Sequence, residues 1–558
     1  MIYLCVRCAT KVQSLRGARR KADPSPCSGW HVILSPFDSL RVNCAKNLHL
    51  VVALSRCVLC GGIFLVFRIS MATSASLNST SRTASSELVK GLRLYDCTTI
   101  VMGSMIGSGI FIVAADVARE VQSPGLLLLC WVVSGVMTVA AAVTYGELAG
   151  MMPTAGGQYI YLREAFGPLF GFLYGWTLFL VIQTGTMAAV AVAFGKFLGV
   201  LVPWVSTQNL LINFGRVEVF HQAVSLTLSS QQLVAVLALV FLSVLNVFGL
   251  RLGAWVQNVF TTLKVATLVG LVALGVWWWN LHPVAVVHQD RYWSGAHWNL
   301  ATLTILSVAL VGPLFSSDAW NNVTFTGSEI VNPRRNLPLA LFVGTITICS
   351  LYVACNWIYL RVLPFTGIQH AAEDRVATAA AQVMLGGKGA TLMAAAIMIS
   401  TFGCMNGLIL TGARVYYAMA KDGLFFPSVA KVHPKHHTPA VSLGVQAVWA
   451  ALLTLSGTYN ELLDYVIFAV VLFYALTLAG VFQLRRTRPL APRPYRAWGY
   501  PVVPAIYIAF AAFVEWALLT HKPGRSLAGL SIVALGVPVY FLWRRKAGSG
   551  GWGLGAKS

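Results

Sequence analysis

An apolar stretch from Leu94 to Val117 is interrupted at its centre by Gly103-Ser104-Met105-Ile106-Gly107-Ser108-Gly109, three glycines and two serines where a membrane helix needs continuous side-chain packing. In hydrocarbon an unpartnered backbone N–H or C=O is heavily penalised. Irregular backbone therefore survives at membrane depth only where it lines a protein cavity or meets a ligand. The interruption predicts that the backbone itself binds something. Composition agrees with a membrane setting: 57% of the 558 residues are hydrophobic and 10% charged, and apolar runs of span length recur, as in polytopic helical membrane proteins. A soluble enzyme is excluded. The net charge of +22 sits in short loops rather than on one basic domain, which argues against a nucleic-acid partner and for membrane topology.

Read in windows of about twenty residues, the chain is all-α with twelve expected transmembrane helices: 94–118, 125–150, 166–200, 232–250, 255–279, 302–328, 337–363, 390–420, 438–458, 460–484, 499–521 and 526–543. From Met71 onward, loops on the N-terminal side hold twenty Lys/Arg, Arg414 counted among them, and the opposite loops hold eight. That excess places both termini in the cytoplasm of a plasma (inner) membrane protein, with a tail at 71–93 and another at 544–558. Residues 1–70 fit none of this pattern. They carry six of the eleven cysteines and an apolar run, Leu48–Phe67, broken by Arg56. The segment reads as an upstream translation with Met71 as the natural start; an additional span or anchor is the alternative.

A second apolar span breaks at Gly312-Pro313, where proline removes a backbone donor and Ser316, Ser317 and Asp318 bring polarity to mid-span. Interrupted spans at matching places in two halves predict an inverted repeat, five helices (94–279) plus five (302–484) followed by two more (499–543), with the ligand at the repeat interface. Lys264, ten residues into the fifth span, is costly at that depth and is by default a functional residue, with snorkelling from a tilted helix as the alternative. Lys196, near the end of the third span, reads as a snorkelling residue.

The segments TIVMGSMIGSGIF (99–111) and TYGELAGMMPTAGGQYIYLREAFG (144–167) resemble amino acid permeases of the amino acid–polyamine–organocation superfamily. DAWNNVTFTGSEIVNPRRNLPLAL (318–341), STFGCMNGLILTGARVYYAMAKDGLF (400–425) and RRTRPLAPRPYRAWGYPVVP (485–504) are similar to its L-type amino acid transporter branch and the bacterial relatives of that branch. The resemblance implies that backbone N–H groups of Ile106, Gly107, Ser108 and Gly109 hold a substrate carboxylate at the positive end of a half-helix. Carbonyls at Phe315, Ser316 and Asp318 would hold the ammonium at a negative end. It also implies that Phe315 is an aromatic gate and that the Lys264 ammonium braces the first break in the place of a sodium ion. Animal L-type transporters join a single-span glycoprotein through a disulfide after the third span. Leu201–Gln231 contains no cysteine, so no disulfide-linked heavy chain is expected.

Asn406 and Gln183 are candidate cavity-lining amides, with interhelical hydrogen bonding as the alternative. Glu147 and the turn at 156–159 are expected to pair with arginines such as Arg163 or Arg335 near an inner gate. Asp318 has three open roles: pairing with Lys264, contacting a cationic substrate, or bonding within the break. Neither cofactor nor metal is implied. The expected function is secondary transport of neutral L-amino acids by alternating access, through exchange or proton linkage; the alternatives are a polyamine or cationic amino acid permease and a non-transporting amino acid sensor.

Overall fold

The computed structural model describes residues 32–34, 38–40, 50–59, 62–71, 88–219, 222–282, 292–293, 298–456 and 459–549. The chain divides into two units, Met1–Ala84 and Ser85–Ser558. In the first, β1 (Val32–Leu34) pairs with β2 (Asp38–Leu40) and β3 (Leu50–Leu59) with β4 (Gly62–Met71), both antiparallel, with Leu59 opposite Gly62. The apolar run before Met71 thus has extended backbone, in keeping with its β-branched residues Val51, Val52, Val58, Ile63 and Val66. The side chains of the six cysteines in 1–70 lie outside the described residues.

The second unit is helical: α1 (Leu94–Met105), α2 (Gly109–Val121), α3 (Pro124–Met151), α4 (Gln158–Phe166), α5 (Pro168–Leu201), α6 (Ser230–Val247), α7 (Leu250–Leu281), α8 (Leu300–Ser316), α9 (Pro333–Val362), α10 (Val376–Leu385), α11 (Gly387–Lys421), α12 (Ala440–Ser456), α13 (Tyr459–Thr487), α14 (Val502–His521) and α15 (Pro523–Ser549). A hairpin of β5 (Leu210–Val219) and β6 (Gln222–Ser229) precedes α6. Among the described residues, ten helical segments are long and apolar enough to cross a bilayer, α1 and α2 counting together as one. Each expected span contains a helix. The sixth is shorter than expected: helix stops at Ser316 and 3-10 turns follow at Trp320–Phe325 and Gly327–Glu329. Three helices, α4, α10 and a short one at Phe365–Gln369, lie between the expected spans.

Local chemistry sets these boundaries. Pro124, Pro168 and Pro333 each open a helix, where a missing N–H does no harm. Ser229 caps α6 through the Gln232 amide while the Gln232 side chain returns to the Ser229 N–H. Inside α5, Leu178–Ile182 forms a π-helical turn, a device that shifts the phase of the side chains beyond it and recurs at functional sites. An apolar core runs through the bundle, with α1 and α3 both packed on α9, and α5 and α7 both packed on α11.

Candidate functional site

Where α1 ends, Ile106 turns to extended backbone (φ −76°, ψ 93°) and α2 does not begin until Gly109. A helix stopped at mid-membrane leaves its last carbonyls without amide partners. Here side chains from other helices supply the missing donors. The thiol of Cys404 reaches the Ser104 carbonyl (3.1 Å) and the Tyr352 hydroxyl that of Met105 (3.0 Å). Ser400 Oγ donates to Gly107 (2.9 Å) and approaches Ile106 (3.3 Å). Lys264 Nζ bonds the carbonyls of Gly103, Ile106 (2.8 Å) and Ser400 (3.4 Å). An ammonium has three donors and no acceptor, so this fully buried group spends every proton on a carbonyl. The snorkelling alternative for Lys264 does not hold.

The Gly103 carbonyl shows why a cation is needed. In a continuous helix it would accept the Gly107 N–H, but that N–H turns to Met105 instead (2.9 Å), and the Ile106 N–H goes to Met102 (3.0 Å). In this conformation two of the four expected anion-binding amides, Ile106 and Gly107, are therefore engaged locally. Ser108 and Gly109 stand at the start of α2, at its positive end.

The second break faces the first. A Cβ on Gly109 would lie 2.3 Å from Ser316 Oγ and 3.2 Å from Ser316 Cα, so only glycine lets the two broken helices meet there. Phe315 and Ser316 are buried at the carbonyl end of α8, and Ser316 Oγ bonds back to Gly312 (2.9 Å). The chain then passes through Ala319 in the left-handed region (φ 63°), a conformation unfavourable for any residue with a Cβ.

Asp318 does not pair with Lys264. Its Oδ1 accepts the Tyr474 hydroxyl (2.6 Å), which also lies 3.1 Å from Asn321 Oδ1. Asn321 donates to Gln158 (2.7 Å), and Gln158 donates to the Phe473 carbonyl and to Thr477. Asp318, Asn321, Asn322, Gln158, Gln183 and Thr186, with the hydroxyls of Tyr174 and Tyr474, line a narrow pocket whose free room in this conformation is about 10 Å³, with Leu178 and Ile182 of the π-helical turn on its apolar side. Gln183 lines this pocket and also donates to the Leu408 carbonyl of α11 (2.8 Å), so it meets both alternatives.

Asn406 does not. It is fully buried, accepting from Asn246 and donating to Gly253 and Gln257, and so ties α11 to α6 and α7. Both of its amide protons are spent on these bonds, which favours the interhelical role. Glu147 pairs with Arg485 (2.6 Å) and Arg493 (3.1 Å) rather than with Arg163 or Arg335. Arg163 bonds Asp422 and Glu164 instead, with Tyr159 donating to Asp422 (2.6 Å). Burial works against the Glu164 carboxylate, but hydrogen bonds from Arg488 and Arg163 prevail and hold its pKa below the ordinary glutamate value. Lys196 reaches Glu373 (3.1 Å to its carbonyl) and is one-third exposed, as a snorkelling residue would be.

One buried pair escaped the sequence reading. Arg414 (1% exposed) bonds Glu329 (0%) at 2.7 and 3.0 Å, and the Glu329 carbonyl accepts the amides of Gly91 and Leu92. Arg414 is therefore no loop cation, and the asymmetry of the loops stands without it. Its position inside an expected span was the available signal. Among the described residues no group of His, Cys, Asp or Glu side chains is placed to hold a metal ion.

Comparison with known proteins follows the same outline. The chain is 28% identical over 463 residues to the Serine/threonine exchanger SteT of Bacillus subtilis (strain 168), covering 82% of this chain and 98% of that one. It is 30% identical over 467 residues to the Large neutral amino acids transporter small subunit 2 of Homo sapiens, covering 82% of each chain. It is 27% identical over 472 residues to the human b(0,+)-type amino acid transporter 1, covering 82% of this chain and 90% of that one. The amino acid permease family matches residues 92–541, both breaks and their supporting side chains included. This chain, a multi-pass membrane protein and not an enzyme, belongs to the amino acid permease family.

Proposed function

We propose that this permease is a secondary amino acid transporter working by alternating access, with the substrate zwitterion held between the two breaks. The observation that carries this reading is the apposition of Gly109 and Ser316, which brings the positive end of α2 against the negative end of α8. The carboxylate goes to the amides of the first break, Ile106, Gly107, Ser108 and Gly109, and the ammonium to the carbonyls of Phe315, Ser316 and Asp318. Phe315 is the gate that keeps water from the occupied site, and Lys264 is the coupling residue that holds the first break in shape.

The pocket beyond the second break takes the substrate side chain. Its amide and hydroxyl lining favours neutral L-amino acids with small polar side chains, in line with the name of the Bacillus relative, a serine/threonine exchanger. Exchange or proton linkage drives the cycle. The scaffold is twelve transmembrane helices in a five-plus-five inverted repeat with two more, lying in the plasma membrane with both termini cytoplasmic. One relative is named a small subunit; with no cysteine in Leu201–Gln231, a disulfide-linked partner has no attachment point in that loop.

A second reading, a permease for polyamines or cationic amino acids, is favoured by Asp318 on the pocket wall. Its carboxylate is already engaged by Tyr474, which weighs against it. Uptake of radiolabelled amino acids into liposomes, with and without amino acid inside and with an imposed pH gradient, tests the choice. Uptake of serine, threonine or alanine that requires internal substrate supports the exchanger. Uptake of putrescine or lysine alone would transfer the site to cations, and uptake of none would refute transport.

A further inference from the structure

The last turn of α13 and the segment joining it to α14 carry five arginines within sixteen residues, Arg485 to Tyr500. Two of them build the segment. Arg493 donates to the carbonyls of Leu484 (3.1 Å), Arg488 (3.0 Å), Pro489 (3.1 Å) and Ala491 (3.0 Å) while its Nε reaches Glu147 (3.1 Å). Arg485 bonds Glu147 and lies 3.6 Å from the centre of the Tyr500 ring. Glu147 also accepts the Ala497 N–H at 2.8 Å. A loop whose carbonyls are stapled by a buried guanidinium is preformed rather than ordered by its ligand.

The other three arginines face outward. Arg488 bonds Glu164 (2.7 Å) with half its side chain still exposed. Arg486 and Arg496 are exposed, and among the described residues no carboxylate lies within ion-pair distance of either. Between and beside them stand Leu490, 97% exposed, and Trp498, 76% exposed, the two most exposed large hydrophobic side chains described. Topology alone explains cations here but not naked leucine and tryptophan on a rigid loop. A nucleic acid would satisfy the arginines and leave both apolar groups in water. Because α13 and α14 both have span character, the loop emerges at the bilayer surface, where an amphiphile with an anionic head satisfies both kinds of group at once.

We propose that this loop is a docking site for anionic phospholipid headgroups of the surrounding bilayer, with Arg486 and Arg496 on the phosphate and Leu490 and Trp498 seated in the interfacial layer. The site adjoins the Glu147 clamp without sharing a residue with the broken helices, so lipid composition can act on the transporter independently of substrate.

The test uses the full chain in nanodiscs of phosphatidylcholine with spin-labelled phosphatidylglycerol as the probe. The wild type should retain phosphatidylglycerol over phosphatidylcholine, and Arg486→Gln with Arg496→Gln should weaken that preference by about five-fold per arginine, roughly 30-fold together. High salt should weaken it in the wild type. Leu490→Ser with Trp498→Ser should also lower it, and amino acid uptake from pure phosphatidylcholine vesicles should be unchanged in both variants. An undiminished preference in the arginine variant overturns the proposal. So does displacement of the lipid by millimolar inorganic phosphate or polyglutamate, and so does wild-type retention in the Leu490/Trp498 variant, which would remove the bilayer from it.

Discussion

Replacing Lys264 by methionine keeps the length of the side chain and removes all three of its donors. The Ile106 carbonyl retains Ser400 Oγ at 3.3 Å, but the Gly103 carbonyl loses its only hydrogen-bond partner among the described residues, because the Gly107 N–H that a helix would supply is turned to Met105. An orphaned buried acceptor costs roughly 1–3 kcal/mol, and a lost hydrogen bond from a charged donor about 1.5–3 kcal/mol. Against these stands relief from burying an ammonium. A net loss of about 3 kcal/mol corresponds to roughly a hundred-fold shift away from the broken conformation of the first helix. Calorimetric substrate binding in detergent should weaken by that order, with uptake into liposomes falling in parallel. The protein should remain monodisperse on gel filtration, since the lost bonds concern one break and not the core. If Lys264→Met binds substrate within about three-fold of wild type, the view that this cation stands in for the missing helical amide is wrong.

Gly109→Ala would set a methyl group 2.3 Å from Ser316 Oγ; uptake should be abolished, and adding Ser316→Gly, which clears the hydroxymethyl group, should restore part of it. Glu329→Gln leaves the buried Arg414 guanidinium without its counter-charge, a loss of about 3–5 kcal/mol, to be seen as aggregation on gel filtration, while replacing both residues by apolar ones of similar volume should be better tolerated. Lowering the pH tests the Glu164 clamp: its folded pKa is depressed, so its contribution is present above the unfolded value of 4.5 and lost as pH falls through the lower folded one. Proteolysis of the α3–α4 region should accelerate only below pH 4.5, and Glu164→Gln should abolish that acid-dependent step.

Periodicity and breaks made the helical architecture legible. Polar and proline interruptions located both discontinuities to within a few residues, since hydrocarbon tolerates unpaired backbone nowhere else. Lys264 was legible for the same reason: a charge ten residues inside a span has few explanations. What remained hidden depends on rotation about a helix axis. Asn406 and Gln183 are both amides in apolar helices, and only the fold turns one toward α6 and α7 and the other toward the pocket. Tyr474 and Tyr352 carry no signal in a sequence rich in aromatics, yet their hydroxyls hold Asp318 and Met105. The partner of Glu147 was misjudged because Arg485 and Arg493 lie more than three hundred residues away in the chain, and proximity in sequence pointed to Arg163.

Tyr352 and Tyr359 sit two turns apart on α9 and straddle the first break, one hydroxyl on the last turn of α1 at Met105, the other on the first turn of α2 at Ile110 (3.3 Å). This makes α9 a splint. The two short helices cannot swivel against each other without stretching one of these two bonds, so a tilt of the first span costs least when α9 follows it. The bonds that must slip in such a tilt are those to the neighbours outside the splint, Lys264 on α7 and Ser400 and Cys404 on α11. Of these, a thiol and a hydroxyl are easily exchanged for another carbonyl one step along, while the lysine, with its long flexible stem, can follow its acceptors. The break behaves as a bearing with a fixed side and a sliding side, and its sliding side is the one lined with the adaptable donors.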